Sequence, residues 1–185
     1  MKINLAIIGL FFLIIPQNLF SQDQKSNKFQ VHVNYLNIEN KIRGGANSGI
    51  GIGTEYHFPI VKSIGLDGIG GIGYERLLNC SLCQSEWFVN GYWAGIGLSK
   101  KFQIKDKHKF MTQVRYRYVG FERNEAELLE MDGTFVRWQE AKKPQDMLGF
   151  RFSYFLPVKV PVILSYTFEN GSFHRMNSFS LGYQF

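Results

Sequence analysis

Apolar and polar residues alternate without interruption at the end of the chain. Phe179, Leu181, Tyr183 and Phe185 share one parity, and Ser178, Ser180, Gly182 and Gln184 share the other. Because successive side chains of a strand point to opposite faces, this alternation predicts a strand. One face of that strand requires an apolar environment, whereas the other face is small and polar.

Seven earlier segments show the same period-two pattern. In chain order, their apolar faces are Phe29, Val31, Val33, Tyr35; Ile50, Ile52, Thr54, Tyr56, Phe58; Ile64, Leu66, Ile72, Tyr74; Phe88, Tyr92, Ala94, Ile96, Leu98, Phe102; Phe110, Thr112, Val114, Tyr116, Tyr118; Leu148, Phe150, Phe152, Tyr154, Leu156; and Val160, Val162, Leu164, Tyr166, Phe168. In the fourth segment the opposite face is assigned Asn90, Gly95, Gly97 and Ser99. Segments of about ten residues match tilted membrane crossings. The sequence therefore predicts an all-β fold, an up-and-down antiparallel transmembrane β-barrel of eight strands.

The connections between these segments alternate between short and long, as expected for a barrel with its N-terminus in the periplasm. The predicted short connections are residues 59–63, 103–109 and 157–159, and the predicted long, external ones are residues 37–48, 77–86 and 122–144. The seventh connection, near residues 170–172, is short and fits the alternation least well.

Aromatic residues stand near both ends of the predicted outward faces, as interfacial girdles do in such barrels. Phe58, Phe102 and Phe185 would lie near one interface, and Tyr74, Phe88, Tyr118 and Phe168 near the other. A soluble lipocalin-like barrel would reverse the two faces and place the apolar residues around an internal ligand. Periodicity alone does not separate the two folds, but the girdles, the terminal aromatic residue and an export signal favour the membrane barrel.

The export signal is predicted in residues 1–21. Lys2 supplies the positive start, residues 3–15 form an apolar run, and Ser21 is a small residue at the exit, which is the pattern of a cleaved signal peptide. The remaining residues, 22–185, have the length of one barrel domain. The net charge of +6 comes without a dense Lys/Arg block, so we expect no nucleic-acid partner.

Charged and titratable side chains on the polar faces would gather inside the barrel. They are Glu55, His57, Asp67, Glu75, Arg115, Arg117, Arg151 and Glu169. Unpaired charges are costly away from water, and an eight-stranded barrel is only wide enough for its own side chains. We therefore predict a structural plug of interlocking salt bridges, with a catalytic or proton-conducting role as the alternative.

Two further motifs carry weaker signals. Residues 68–73 match the dinucleotide fingerprint G-x-G-x-x-G, but the helix that would hold the pyrophosphate is not indicated after Gly73. Cys80 and Cys83 are expected to form a small structural disulfide in an external loop, with free thiols or a redox or metal role as alternatives. We expect neither a cofactor nor a metal.

An enzyme acting on lipids is the alternative function, because such enzymes occur on barrels of this size. Hydrolysis requires a nucleophile beside a base and an orienting acid. None of the four histidines stands in the His-x-Ser arrangement that the deacylase type resembles. Glu55 and His57 share a face, but the sequence assigns them no serine partner. We expect no catalytic residues.

The long fifth connection is the predicted partner-binding region. Asp132-Gly133 is a strong hairpin signal near its middle, and strands five and six would continue beyond the membrane as a ribbon. A two-residue turn there conflicts with the shared even parity of the two outward faces, so a bulge or an odd-length turn is required. A surface helix over residues 124–131 is the alternative. The proposed contact residues are Glu127, Leu128, Leu129, Phe135, Val136 and Trp138.

The signal ending Phe20-Ser21 before Gln22, the eight strands and the Tyr183-Gln184-Phe185 terminus resemble the small outer-membrane β-barrel proteins of Bacteroidota, including the PorT-like and OmpX-like groups. The resemblance implies the outer membrane of a Gram-negative bacterium, with contact to outer-membrane lipid and lipopolysaccharide. It also implies that Tyr183 and Phe185 are read by the barrel-assembly machinery. The function it implies is non-enzymatic: external loops for partner binding, adhesion or assembly of an envelope or secretion complex.

Overall fold

The computed structural model describes residues 29–40, 46–78, 88–104, 108–122, 144–172 and 174–185. The predicted signal peptide, the Cys80–Cys83 disulfide and the hairpin signal at Asp132-Gly133 lie outside the described residues. The same holds for the proposed contact residues of the fifth connection, which are Glu127, Leu128, Leu129, Phe135, Val136 and Trp138.

The described residues form eight β-strands. They are β1 Phe29–Asn40, β2 Ala46–Val61, β3 Leu66–Leu78, β4 Phe88–Ile104, β5 His108–Glu122, β6 Gln145–Phe155, β7 Val162–Gly171 and β8 His174–Gln184. Between β2 and β3, the 3-10 turn Lys62–Ile64 ends at Gly65, whose φ of 64° is left-handed and suits glycine. No helix among the described residues is long and apolar enough to cross a membrane.

The strands form a closed barrel in which each pairs antiparallel with its neighbours in sequence, and β8 pairs with β1. Following paired residues once around the barrel from Phe29 leads back to β1 at Glu39, ten positions further on. Such a stagger tilts the strands by roughly 35–45° and leaves an interior that side chains can fill. The predicted eight-stranded antiparallel transmembrane barrel is confirmed.

The two faces of the strands have the predicted orientation. Apolar side chains cover the outside: Leu181 is 58% exposed, and Ile72 and Ile96 are exposed by 64% and 68%. The opposite parity faces inward and is buried, as in Glu169, which has no exposed surface. A soluble barrel of the lipocalin type would show the reverse, so the distribution of exposed apolar surface identifies a barrel that is solvated by lipid.

Four details of the predicted strands are wrong. Asn90 lies on the outward face of β4 rather than the inward face, because it has the same parity as Tyr92 and accepts a hydrogen bond of 2.7 Å from the outward Tyr74 hydroxyl. Ile64 belongs to the 3-10 turn, Leu156 follows β6, and Val160 precedes β7. In these three cases the alternation continues into a connection, where a period of two residues does not indicate a strand.

The register between β5 and β6 has the parity that the outward faces require. Tyr116 pairs with Leu148, and Val114 pairs with Phe150, so even-numbered residues stand opposite even-numbered residues. A simple two-residue turn at Asp132-Gly133 would pair odd with even positions. The register therefore agrees with the expectation of a bulge or an odd-length connection.

Candidate functional site

The centre of the barrel contains a chain of alternating charges, built from inward residues of five strands. Arg115 on β5 lies between two carboxylates: its Nη1 donates to Glu55 Oε1 on β2 at 2.9 Å, and its Nε lies 3.0 Å from Glu169 Oε1 on β7. The strands bring these groups together because residues 115, 55 and 169 all have the inward parity of their strands.

Two more arginines extend this series of alternating charges, one at each end. Arg151 on β6 donates through Nη1 to Glu55 Oε1 at 2.8 Å and through Nε to the Thr167 hydroxyl at 2.8 Å. Arg117 on β5 pairs with Glu169 and, at 2.5 Å, with Glu75 on β3. We call these six residues, Arg115, Arg117, Arg151, Glu55, Glu75 and Glu169, the lumen network.

The lumen network is electrically balanced within the described residues, with an equal number of arginines and glutamates. Each member is at most 5% exposed. Burying a lone charge would be very costly, whereas an alternating chain gives every charge an opposite neighbour. The network therefore holds strands together across the lumen without requiring a bound counter-ion.

The sequence-based prediction missed Trp93, which packs against the network. The guanidinium carbons of Arg115 and Arg117 lie 5.1 Å and 4.9 Å from its ring centroid, in cation–π geometry. On another side the indole stacks with the His32 imidazole, with centroids 6.3 Å apart. Trp93 has the same parity as Gly95 and Gly97, which were correctly assigned inward, so parity alone could have placed it inside.

Glycines make room for this indole. A Cβ on Gly73 would stand 2.4 Å from Trp93 Nε1, and one on Gly53 would stand 2.7 Å from Trp93 Cζ2 and 2.5 Å from His32 Nε2. These glycines of β2 and β3 are therefore required by close packing around Trp93. Within the stretch that formally resembles a dinucleotide fingerprint, packing around Trp93 therefore accounts for Gly73.

The two remaining members of the predicted charge cluster lie apart from the network. Asp67 pairs with Lys101, another residue that the prediction missed, at 3.7 Å. His57 Nε2 is 4.0 Å from Glu55 Oε2, and His57 Nδ1 is 3.4 Å from the Ser99 hydroxyl.

Ser99, His57 and Glu55 form the closest approach to a hydrolytic arrangement in the described part of the chain. Both separations exceed the range of about 2.6–3.2 Å expected between nucleophile, base and orienting acid. All three side chains face the lumen, and Ser99 has no exposed surface. A lipid on the outside of the barrel would not reach this serine.

Apolar side chains close the lumen at the end where β1 joins β2, which we call the loop end; the opposite end is the turn end. The loop-end layer consists of buried inward residues, namely Leu36, Ile38, Leu77, Val119, Met147 and Met176. The prediction of a polar interior did not include this layer. Its residues have the inward parity of their strands and lie at the loop ends of those strands. They were missed because apolar residues were expected to face lipid.

Paired polar and aromatic side chains mark the outer surface near the loop end. Tyr74 donates to Asn90 at 2.7 Å, Tyr166 donates to Asn177 at 2.8 Å, and Tyr116 donates to Asp146. Each pair joins neighbouring strands on the lipid-facing side. Phenol rings with satisfied hydroxyls are suited to the boundary between lipid and water.

Aromatic clusters mark the turn end. Phe110 lies 5.4 Å from Phe102, 5.6 Å from Phe152 and 5.0 Å from Tyr154, measured between ring centroids. At the seam between β8 and β1, Phe185 lies 6.1 Å from Phe29 and 4.6 Å from Tyr183. The Phe185 amide donates to the Phe29 carbonyl at 2.8 Å, so the terminal residue takes part in closing the barrel.

Groups of His, Cys, Asp and Glu that could hold a metal ion are absent from the residues described. No protein-family model and no curated protein matches the chain. The PorT-like and OmpX-like resemblance therefore stays a prediction.

Solved structures with a similar fold do exist. Neisserial surface protein A is 13% identical, with a TM-score of 0.53 over 85% of this chain and 96% of that one. A de novo designed transmembrane β-barrel is 11% identical, with a TM-score of 0.49 over 88% and 99%. Ail, the attachment invasion locus protein of Yersinia pestis, is 10% identical, with a TM-score of 0.47 over 85% and 97%. At this identity, the similarity to Neisserial surface protein A shows a shared barrel fold.

Proposed function

We propose that this chain is a non-enzymatic, integral outer-membrane β-barrel of a Gram-negative bacterium that presents its loop-end connections to a partner. The observation that carries this proposal is the division of the molecule into a lipid-covered outside and a filled, charge-balanced inside. Neither surface is free to bind a soluble molecule. Binding is left to the segments at the ends of the barrel.

The height of the apolar belt supports the outer membrane as its location. On β6, Asp146 belongs to the polar pairs of the loop end and Tyr154 to the aromatic cluster of the turn end, eight positions away. With about 3.3 Å per residue and a tilt near 40°, this separation corresponds to roughly 20 Å across the membrane. Outer-membrane barrels have an apolar band of about 25 Å, in a membrane thinner than average.

Export and assembly follow from the same proposal. Residues 1–21 would direct the chain out of the cytoplasm and be removed, leaving residues 22–185 as the barrel. Tyr183 and Phe185 would be read by the barrel-assembly machinery, and outer-membrane lipid and lipopolysaccharide would surround the folded protein. The outward position of Tyr183 on β8 and of Phe185 directly after it is compatible with this role.

The fifth connection is the region that we propose for partner binding, in adhesion or in an envelope or secretion complex. The experiment compares three forms of the protein expressed in the native outer membrane: the unchanged chain, a deletion of residues 126–140, and a variant with those residues replaced by a Gly/Ser segment of equal length. Partners are identified by cross-linking and co-purification. Heat-modifiable migration on gels shows whether each barrel is folded.

We expect both altered proteins to fold and both to lose the partner. The Gly/Ser variant controls for connection length, so a loss in that variant is due to the side chains. Retention of the partner by both folded variants would place the binding site elsewhere. The lipid-enzyme alternative would instead predict a change in acyl-chain composition of the outer membrane when the intact gene is expressed.

A further inference from the structure

One wall of the lumen, formed by β1 and β8, carries several buried polar atoms that have no hydrogen-bond partner among the described residues. β1 presents Gln30, His32 and Asn34 inward at successive inward positions, and Ser180 on β8 stands directly opposite Asn34. These four residues are 4%, 4%, 4% and 6% exposed. We call them the β1–β8 wall.

The atoms without a partner belong to a row of inward residues, three successive ones on β1 and Ser180 opposite Asn34. They are Gln30 Nε2, both ring nitrogens of His32, Asn34 Oδ1 and Ser180 Oγ, and none has a hydrogen-bond partner among the residues described. By contrast, Arg151 and Thr167 on the opposite wall bond directly to each other. Other buried side chains of the lumen also have an atom without a partner, but Glu75 and Gln113, for example, each make a hydrogen bond through another atom, whereas neither ring nitrogen of His32 is paired among the described residues.

Dry burial of such a row would be strongly unfavourable. Each buried donor or acceptor without a partner loses the full free energy of its hydration, and buried polar groups are satisfied by protein or by ordered water in nearly every case. The neighbouring inward residues on β8 are small: Ser178 and Gly182 flank Ser180. Short side chains occupy little of the lumen beside the wall, and a bound water requires several polar partners, which the wall supplies.

We propose that the β1–β8 wall is a binding site for a row of internal water molecules that extends from Gln30 to Asn34 and Ser180. The row ends beneath Leu36, the next inward residue of β1, where the apolar loop-end layer begins. The water would complete the hydrogen bonds of His32 while its ring remains stacked on Trp93. The inference is independent of the proposed partner binding.

A direct test is cross-relaxation between water and protein protons, measured by NMR on the full mature chain in detergent micelles. We expect long-lived water contacts at the side-chain protons of Asn34 and His32, and none at the methyl groups of Leu36. In His32→Phe, which preserves the stacked ring but removes both nitrogens, the contacts at Asn34 should weaken. Absence of water contacts at both Asn34 and His32 in the unchanged protein would overturn the proposal.

Substitution provides a second, independent readout. If water satisfies Asn34, then Asn34→Leu displaces it and lowers the urea midpoint of unfolding. If the wall is dry, the same change removes an unsatisfied buried group and raises the midpoint. Thr167→Val is the matched control: it breaks the bond from Arg151 and should lower the midpoint in either case. A raised midpoint in Asn34→Leu and in Ser180→Ala would refute the bound water.

Discussion

At the scale of single residues, Arg115 lies between two carboxylates of the lumen network, because it contacts both Glu55 and Glu169. Replacement by alanine leaves these two carboxylates with one fewer cation in a buried setting. Removal of one partner from a buried ion pair typically costs about 3–5 kcal/mol. We expect a loss of this order for Arg115→Ala, measured by urea unfolding in lipid vesicles.

The matched control is Arg175→Ala. Arg175 pairs with Glu39 at 3.5 Å on the rim, where the two side chains are 49% and 52% exposed. Exposed pairs contribute at most about 1 kcal/mol, so this variant should unfold almost like the unchanged protein. Equal losses in the two variants would show that the lumen network has no special energetic role.

Glycines provide a second residue-scale prediction. A Cβ on Gly97 would stand 2.4 Å from the Val114 carbonyl oxygen, whereas a Cβ on Gly70 of the adjacent strand would have nothing within 4 Å. Overpacking a filled interior costs about 1–3 kcal/mol, and we expect that loss for Gly97→Ala. Gly70→Ala should be neutral or slightly stabilising, because it restricts the unfolded chain without a clash. The same unfolding assay checks both, and a loss in Gly70→Ala equal to that in Gly97→Ala would contradict the packing argument.

At the scale of the strands, alternation divided each strand into two faces, and the girdles, the terminal aromatic residue and the predicted export signal decided which face turns to lipid. Period two is a direct consequence of strand geometry, and together with those signals it identified both Leu181 as outward and Glu169 as inward. It could not place Asn90 correctly, since a polar residue at an outward position looks like an interior residue when only its polarity is considered. Its partner Tyr74 on the neighbouring strand becomes visible only once the register is known.

Which charged side chains pair inside the barrel could not be predicted from the sequence, for a related reason. The inward parity of Arg117 and Glu75 follows from their own strands, but the contact between them depends on the stagger of the whole barrel. Trp93 and the loop-end layer were missed because apolar residues were expected to face lipid. In this barrel the interior is not polar throughout, because Trp93 packs within it and an apolar layer occupies its loop end.

A prediction at this scale tests the assignment of the outer face. Phe150 faces lipid midway along β6 between Asp146 at the loop end and Tyr154 at the turn end, so Phe150→Arg should destabilise by about 2–4 kcal/mol in a bilayer. Asn37→Arg on β1 introduces the same side chain near the loop-end boundary, where the cost is about 0–1 kcal/mol. Unfolding in lipid vesicles measures both values, and an equal effect at the two positions would contradict the depth assignment.

At the scale of the whole molecule, the network and the barrel closure depend on each other. Each of the eight described strands contributes a side chain at or next to the network. Five strands carry its charges, and the other three contribute His32 on β1, Trp93 on β4 and Met176 on β8. Met176 Sδ accepts a hydrogen bond from Arg117 Nη2 at 3.6 Å. Closure brings the charges into contact, and their pairing removes the cost of burying them. The barrel should therefore unfold cooperatively, with few stable open forms.

The filled interior also predicts how the protein behaves towards ions. The lumen network crosses the centre, and the apolar layer around Leu36 and Met176 closes the loop end, so a hydrated ion meets both an occupied polar zone and a dry zone. A barrel of eight strands leaves no aqueous channel once its side chains are in place, unlike porins of 16–18 strands. Planar-bilayer recordings of the unchanged protein should show no steady conductance of porin size. The double variant Leu36→Ser and Met176→Ser should remain closed as well, because the network below the layer is unaltered. A stable open channel in the unchanged protein would show that the interior rearranges in a membrane, and opening only in the double variant would identify the apolar layer as the barrier.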